Sequence, residues 1–244
     1  QLLSCEFSIS QTYNDVWNDF GNCSDIRGEI LRTWTVTDES DNFSTCTQVI
    51  TIKRLLLGDV VFPENFDGIA NQALACADVN ANPSLTNPAN TGAPTVIGQS
   101  IQGAPLCGLS VNMSEEIFDI CGGSYDILRV WSVYDPCQPA QIGVNPLQYL
   151  QTIKVIDNIG ASLTCPSDVT ISTTEVDACL ATYQIPPINI SDNCTGFTVT
   201  TDTPNGTLAS NGGTISGLEI GTYTITYHVH DNCGNTTDCT FDIT

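Results

Sequence analysis

Three stretches of this chain are copies of one another. Residues 30–38 read ILRTWTVTD, residues 127–135 ILRVWSVYD and residues 223–231 YTITYHVHD. Trp34, Trp131 and Tyr227 hold the same place in them, 97 and 96 residues apart. After each comes a turn and a second alternating stretch, at residues 46–52, 149–156 and 239–244. Trp34 to Cys46 and Tyr227 to Cys239 are both steps of 12 residues; the middle copy is six residues longer and has Tyr149 where the others have cysteine. A long period of this kind means that one structural unit has been duplicated, so the size and inner periodicity of that unit constrain the fold.

The inner period is two. Tyr223, Ile225, Tyr227 and Val229 fall on one side of an extended chain, and Thr222, Thr224, Thr226, His228 and His230 on the other. That is the pattern of an antiparallel strand with one buried face, built from residue types that suit a pleated surface. Gly221 marks a corner ahead of Tyr223, whose hydroxyl is placed to tie back to the backbone; residues 231–235 (DNCGN) read as a turn in which Gly234 supplies positive φ. About 97 residues of short strands is the size of one immunoglobulin-like sandwich. The expected fold is therefore all-β: tandem immunoglobulin-like antiparallel β-sandwiches stapled by disulfides. Residues 1–52 read as the C-terminal half of a repeat, 53–156 as a complete repeat with a long surface loop at 80–105, and 157–244 as a third. A half-sandwich exposes its inner face, so the missing strands are expected from a longer chain or a neighbouring subunit. Helices are expected only as a turn or two, at residues 11–20 and 114–120.

Six Lys plus Arg stand against 27 Asp plus Glu, a net charge of −21. Clustered basic residues are what phosphates and anionic membrane surfaces attract, so neither nucleic acid nor such a surface is an expected partner. No apolar run reaches the roughly 18 residues of a membrane span. The opening residues, Gln1 to Cys5, lack a leader pattern, so the chain is read as processed or as part of a longer one. Twelve cysteines, none in a C-x-x-C pair, fit disulfides made in an oxidising compartment better than zinc. No G-x-S-x-G, H-E-x-x-H or P-loop occurs, and no catalytic residue is expected.

The third repeat carries residues 164–170 (TCPSDVT), 191–194 (SDNC), 221–227 (GTYTITY), 231–235 (DNCGN) and 239–241 (CTF). Over nearly all of residues 160–244 this resembles the hyalin repeat, an immunoglobulin-like module of extracellular proteins. The middle repeat, with residues 129–137 (RVWSVYDPC) and 151–157 (QTIKVID), looks like a relative of the tandem repeats in giant secreted surface adhesins of gliding bacteria. The first half-repeat follows it but has Ser40 in place of Cys137. The resemblance implies an adhesive, stalk or filament role, and the pairs Cys165–Cys239 and Cys179–Cys194 with Cys233 left over. The pair Cys194–Cys233, leaving Cys179, stands as the alternative. In the middle repeat Cys121–Cys137 is favoured because both flank the Trp131 strand, which leaves Cys76–Cys107. Cys5 matches Cys107, so its partner is expected upstream, and Cys23–Cys46 remains.

Arg32 and Arg129 sit two residues before their tryptophans, on the same strand face. The expected role is structural: a stem packed on the indole and a guanidinium that meets a carboxylate, with Trp34, Trp131 and Tyr227 as core. Asp-Asn turns are the metal candidates. Asp157, Asp192 and Asp231 offer the hard oxygen ligands that calcium takes, against the simpler reading of Asx-capped turns. His228 and His230 read as an exposed polar face rather than a zinc pair. No other cofactor is expected. The expected function is a structural or adhesive segment of a long extracellular repeat protein at the cell surface, whose partners are neighbouring repeats, identical subunits, or a surface glycan or protein. The alternative is a glycan- or protein-binding module of a secreted multidomain enzyme.

Overall fold

The computed structural model describes residues 10–103, 108–174, 179–194 and 196–244. The fold is all-β with mainly antiparallel sheets; the helices among the described residues are fragments such as Cys76–Ala81, Pro83–Thr86 and Pro88–Thr91, none longer than six residues. These three fragments and the short strands Thr95–Val96 and Gln99–Ser100 occupy much of the stretch expected as a loop. Two compact units result: Gln1–Phe62 with Ala93–Met113 and Trp131–Tyr149, and Pro63–Gly92 with Ser114–Val130 and Leu150–Thr244.

In the first unit, strands Ser10–Asp19, Ile26–Thr37 and Phe43–Lys53 form a three-stranded antiparallel sheet with Ile26–Thr37 in the centre. Trp34 lies opposite Tyr13 on one side and Cys46 on the other. Of residues 11–20, expected as a short helix, all but Phe20 belong to the first of these strands, which pairs with the central one continuously from Ser10↔Thr37 to Asp19↔Gly28. Its Thr, Asn, Asp, Val and Trp residues are poor helix formers, and a ready partner strand settles the choice. Residues 114–120 likewise lie in the strand Ser110–Cys121. A buried apolar cluster of Leu57, Val96, Ile101, Leu109 and Val133 completes this unit, and no residue of the three-stranded sheet joins it.

The second unit contains the third repeat. Strands Gly206–Leu208, Phe197–Thr203, Tyr223–Asp231 and Thr236–Ile243 make one sheet in that order, and Ala181–Ile185 pairs with Gly213–Leu218 in another. Ile185, Ile215, Ile225, Tyr227, Phe241 and Ile243 fill the core. Tyr227 faces Cys239, the same step as Trp34 to Cys46. Tyr223 donates its hydroxyl to the Glu219 carbonyl at 3.2 Å, closing the corner, and Gly234 has φ +90°.

On the outer face of the Tyr223–Asp231 strand, His228 sits between two carboxylates, Nδ1 2.8 Å from Asp238 Oδ1 and Nε2 3.2 Å from Asp202 Oδ2. The hydrogen bond to Asp238 is the main cause of a raised His228 pKa. A raised folded-state value means stabilisation that is full below the unfolded histidine value of about 6.5 and is lost as pH rises through the folded one. His228→Gln is expected to lower the melting temperature near pH 5.5 and to leave it unchanged near pH 9. Melting curves across that range check the sign.

Candidate functional site

Three turns of the form Asp-x-Cys organise the repeat boundaries. In Asp135-Pro136-Cys137, Asp192-Asn193-Cys194 and Asp231-Asn232-Cys233 the cysteine N–H donates to Oδ1 of the aspartate two residues earlier, at 2.9, 2.9 and 2.8 Å. This is the Asx turn, closed by the side chain itself. It fixes the direction of each thiol, and each of these cysteines is bonded to one in the preceding repeat. Cys137 joins Cys23, Cys194 joins Cys76 and Cys233 joins Cys121, with Cα atoms 5.1, 5.9 and 5.1 Å apart. In the first repeat Ser40 makes the same bond to Asp38 at 2.8 Å, with a hydroxyl where the others carry sulfur.

These three disulfides therefore differ from the pairs read within single repeats, whereas Cys165–Cys239 forms as the resemblance implied. Cys121 and Cys137 stand beyond opposite ends of the 11-residue strand Ser124–Tyr134, about 35 Å at 3.2–3.4 Å per residue, whereas a bridge needs Cα atoms within about 7 Å. Cys23 precedes the Ile26–Thr37 strand while Cys46 pairs with Trp34 midway along it, so that pair is too far apart as well. Cys46 and Cys179 are free and exposed. With Cys194 bonded to Cys76 and Cys233 to Cys121, the pairs Cys76–Cys107, Cys179–Cys194 and Cys194–Cys233 do not form. Cys5 and Cys107 lie outside the described residues. Cys165 is bonded to Cys239 within the third repeat. The recurring Asp-x-Cys was the available signal for the boundary bridges, but it is not selective, since Asp119-Ile120-Cys121 and Asp177-Ala178-Cys179 also carry it and Cys179 is free.

Arg32 and Arg129 each meet a carboxylate. Arg32 is bidentate to Asp15, both contacts 2.8 Å, with its guanidinium 4.5 Å from the Tyr13 ring centre and 5.8 Å from that of Trp34. Arg129 donates to Glu115 at 2.5 Å, to Thr91 Oγ1 at 2.6 Å and to the Thr86 carbonyl at 2.5 Å. Arg129, Trp131 and Tyr227 are buried as core, but Trp34 and Arg32 are only half-buried, because their three-stranded sheet adds no residue to a buried apolar cluster.

The three aspartates named as metal candidates converge. One carboxylate oxygen each from Asp157, Asp192 and Asp231 lies within 4.8 Å of the others. The Asp157 N–H donates to Ser124 Oγ at 2.7 Å and its carbonyl accepts from Asn235 Nδ2 at 3.3 Å. Burial, reinforced by the Asp192 and Asp231 charges, holds the Asp157 carboxyl above the usual carboxylate range. Burial pushes Asp231 the same way, but hydrogen bonds from the Asn235 side chain and from the backbone of Asn235, Cys233 and Gly234 outweigh it and leave Asp231 below that range. Cys76 and Cys194 approach the same place, but as a disulfide they offer no thiolate.

Fold and site together define a disulfide-bridged, all-β repeat protein. No protein-family model matches the chain, the hyalin repeat included, and no curated protein matches it. Among solved structures it is similar to the protocadherin gamma B2 extracellular cadherin domains 3–6, at 9% identity and a TM-score of 0.28, over 96% of this chain and 65% of that one. The protocadherin gamma B4 extracellular domain follows at 12% identity and 0.27, over 96% and 43%. A mixed-linkage glucan utilisation protein of Bacteroides ovatus, SGBP-B, solved with a heptasaccharide, has 9% identity and 0.18, over 97% and 60%. The chain thus spans less than two thirds of the length of each of these three.

Proposed function

We propose that this chain is a structural, adhesive segment of a long extracellular repeat protein, secreted to the cell surface as an adhesin, stalk or filament, with no catalytic residue of its own. The observation that supports this reading is the placement of the bridges. Cys23–Cys137 and Cys121–Cys233 each join one repeat to the next, over separations of 114 and 112 residues. Tension applied to the two ends runs along residues 1–23, crosses to Cys137, returns through the Ser124–Tyr134 strand to Cys121, crosses to Cys233 and leaves by residues 233–244. Most of the chain is bypassed. Neighbouring repeats or identical subunits are the partners in this reading, and the face that carries exposed Tyr13 and half-buried Trp34 is where their strands pack.

Pulling the oxidised chain by its ends is expected to stop at about 170 Å of extended backbone, against about 850 Å after reduction, at roughly 3.5 Å per residue. Single-molecule force spectroscopy reads both lengths. An oxidised chain that extends as far as the reduced one contradicts the mechanical reading.

A second reading, a module that binds glycan or protein, has one observation in its favour: Tyr13 and Trp17 on the first strand are 58% and 45% exposed. It expects Trp17 fluorescence to respond to an oligosaccharide and the response to vanish in Trp17→Ala.

A further inference from the structure

The two repeat boundaries can be compared position by position. At the first, the residue that follows the strand Phe43–Lys53 is Arg54, and its Nη1 lies 2.7 Å from Oδ2 of Asp135 in the Asp-x-Cys turn of the next repeat. Both side chains are buried, at 8% and 1% exposure. At the second, the residue that follows the strand Leu147–Ile156 is Asp157, and the Asp-x-Cys turn beside it carries Asp231. A guanidinium facing a carboxylate has become a carboxylate facing a carboxylate, and Asp192 brings a third. Asp157 is only 8% exposed. Its Oδ1 accepts from the Ile159 N–H at 3.3 Å, while Oδ2 is buried and has no hydrogen-bond partner among the described residues. A buried acceptor of this kind is costly unless a positive charge or a proton meets it.

We propose that Asp157, Asp192 and Asp231 hold a divalent cation, calcium by preference, which supplies at the second boundary the positive charge that Arg54 supplies at the first. The ligand chemistry favours it. The three groups offer only oxygen, and the nearby sulfurs are locked in a disulfide, which disfavours zinc. Calcium–oxygen bonds of 2.3–2.6 Å put ligands on opposite sides of the ion about 5 Å apart, whereas magnesium at 2.0–2.1 Å spans only about 4 Å. One oxygen from each carboxylate lies within 4.8 Å of the others, inside the reach of a calcium ion, and calcium gives up its water for protein oxygens more readily than magnesium does.

The test is calcium titration of the chelator-treated, oxidised chain, followed by calorimetry and by melting temperature. The expected result is saturable binding with a Kd of about 0.1–1 mM and a melting temperature raised by about 5 °C at saturation. Asp157→Asn is expected to weaken binding at least about tenfold through the loss of one ligand charge. Asp157→Arg, which copies the first boundary, is expected to abolish the calcium response and to melt, in chelator, above the wild type. A merely protonated Asp157 predicts the opposite pattern: no calcium response in any of the three proteins and no cost of Asp157→Asn. Absence of saturable binding up to about 10 mM calcium, or binding that Asp157→Asn leaves unchanged, overturns the proposal. The readout is ion binding, so such a failure leaves the force-extension result, and the function it tests, untouched.

Discussion

Trp131→Ala is expected to destabilise the chain by about 3–5 kcal/mol, the range for removing a fully buried large aromatic side chain. Its ring is 0% exposed in the Ser124–Tyr134 strand. For a chain of this size that shift lowers the melting temperature by roughly 6–20 °C. Trp34→Ala, at the matched position of the first repeat, is expected to cost only about 1 kcal/mol. Trp34 is half-buried, and it loses chiefly a tilted contact with Tyr13 at 5.2 Å and a long bond from its indole N–H to Gln48 at 3.3 Å. Denaturant unfolding of both variants measures the contrast. Equal losses at the two positions would mean that the three-stranded sheet buries its inner face as fully as the middle repeat does.

Those paired tryptophans show what the sequence made legible. Period-two alternation around Trp34, Trp131 and Tyr227 identified three central strands, and the equal steps to Cys46 and Cys239 gave a shared register that the strand pairing reproduces. Such signals are local, carried by residues two apart or by one turn. The disulfides that cross from one repeat to the next were not legible in the same way, because Cys23 and Cys137 are 114 residues apart in sequence and meet only through the packing of one repeat on the next. Flanking the Trp131 strand was the reason Cys121–Cys137 was favoured, yet the length of that strand rules the pair out, since an extended strand separates its two ends. The acidic cluster was half legible: Asp157, Asp192 and Asp231 could be named from their Asp-Asn turns, but their convergence required the fold. Residues 11–20 were misleading because their isolated propensity is weak in either direction, and the neighbouring strand decided it.

Arg54→Ala is expected to cost about 3–5 kcal/mol, the range for removing one partner of a buried ion pair and stranding the other. Asp135 is where that cost falls. It is 1% exposed, its Oδ1 accepts from the Cys137 N–H at 2.9 Å, and its own N–H and carbonyl are held by the Asn145 side chain at 3.0 and 2.8 Å, so the carboxylate has no route to water. The double variant Arg54→Ala/Asp135→Asn is expected to recover much of the loss, because the amide keeps an oxygen for Cys137 and carries no charge to strand. Urea unfolding of the four proteins closes a double-mutant cycle whose coupling energy should exceed about 1.5 kcal/mol. A coupling near zero would show that the pair is solvated and that the boundary rests on the Cys23–Cys137 bridge alone. The same cycle at the second boundary, with Asp157→Asn and Asp231→Asn in chelator, should give coupling of opposite sign, since there each substitution relieves a repulsion that the other also relieves. The two signs together would establish that charge, attractive at one boundary and repulsive at the other, distinguishes two junctions built on the same turn and bridge.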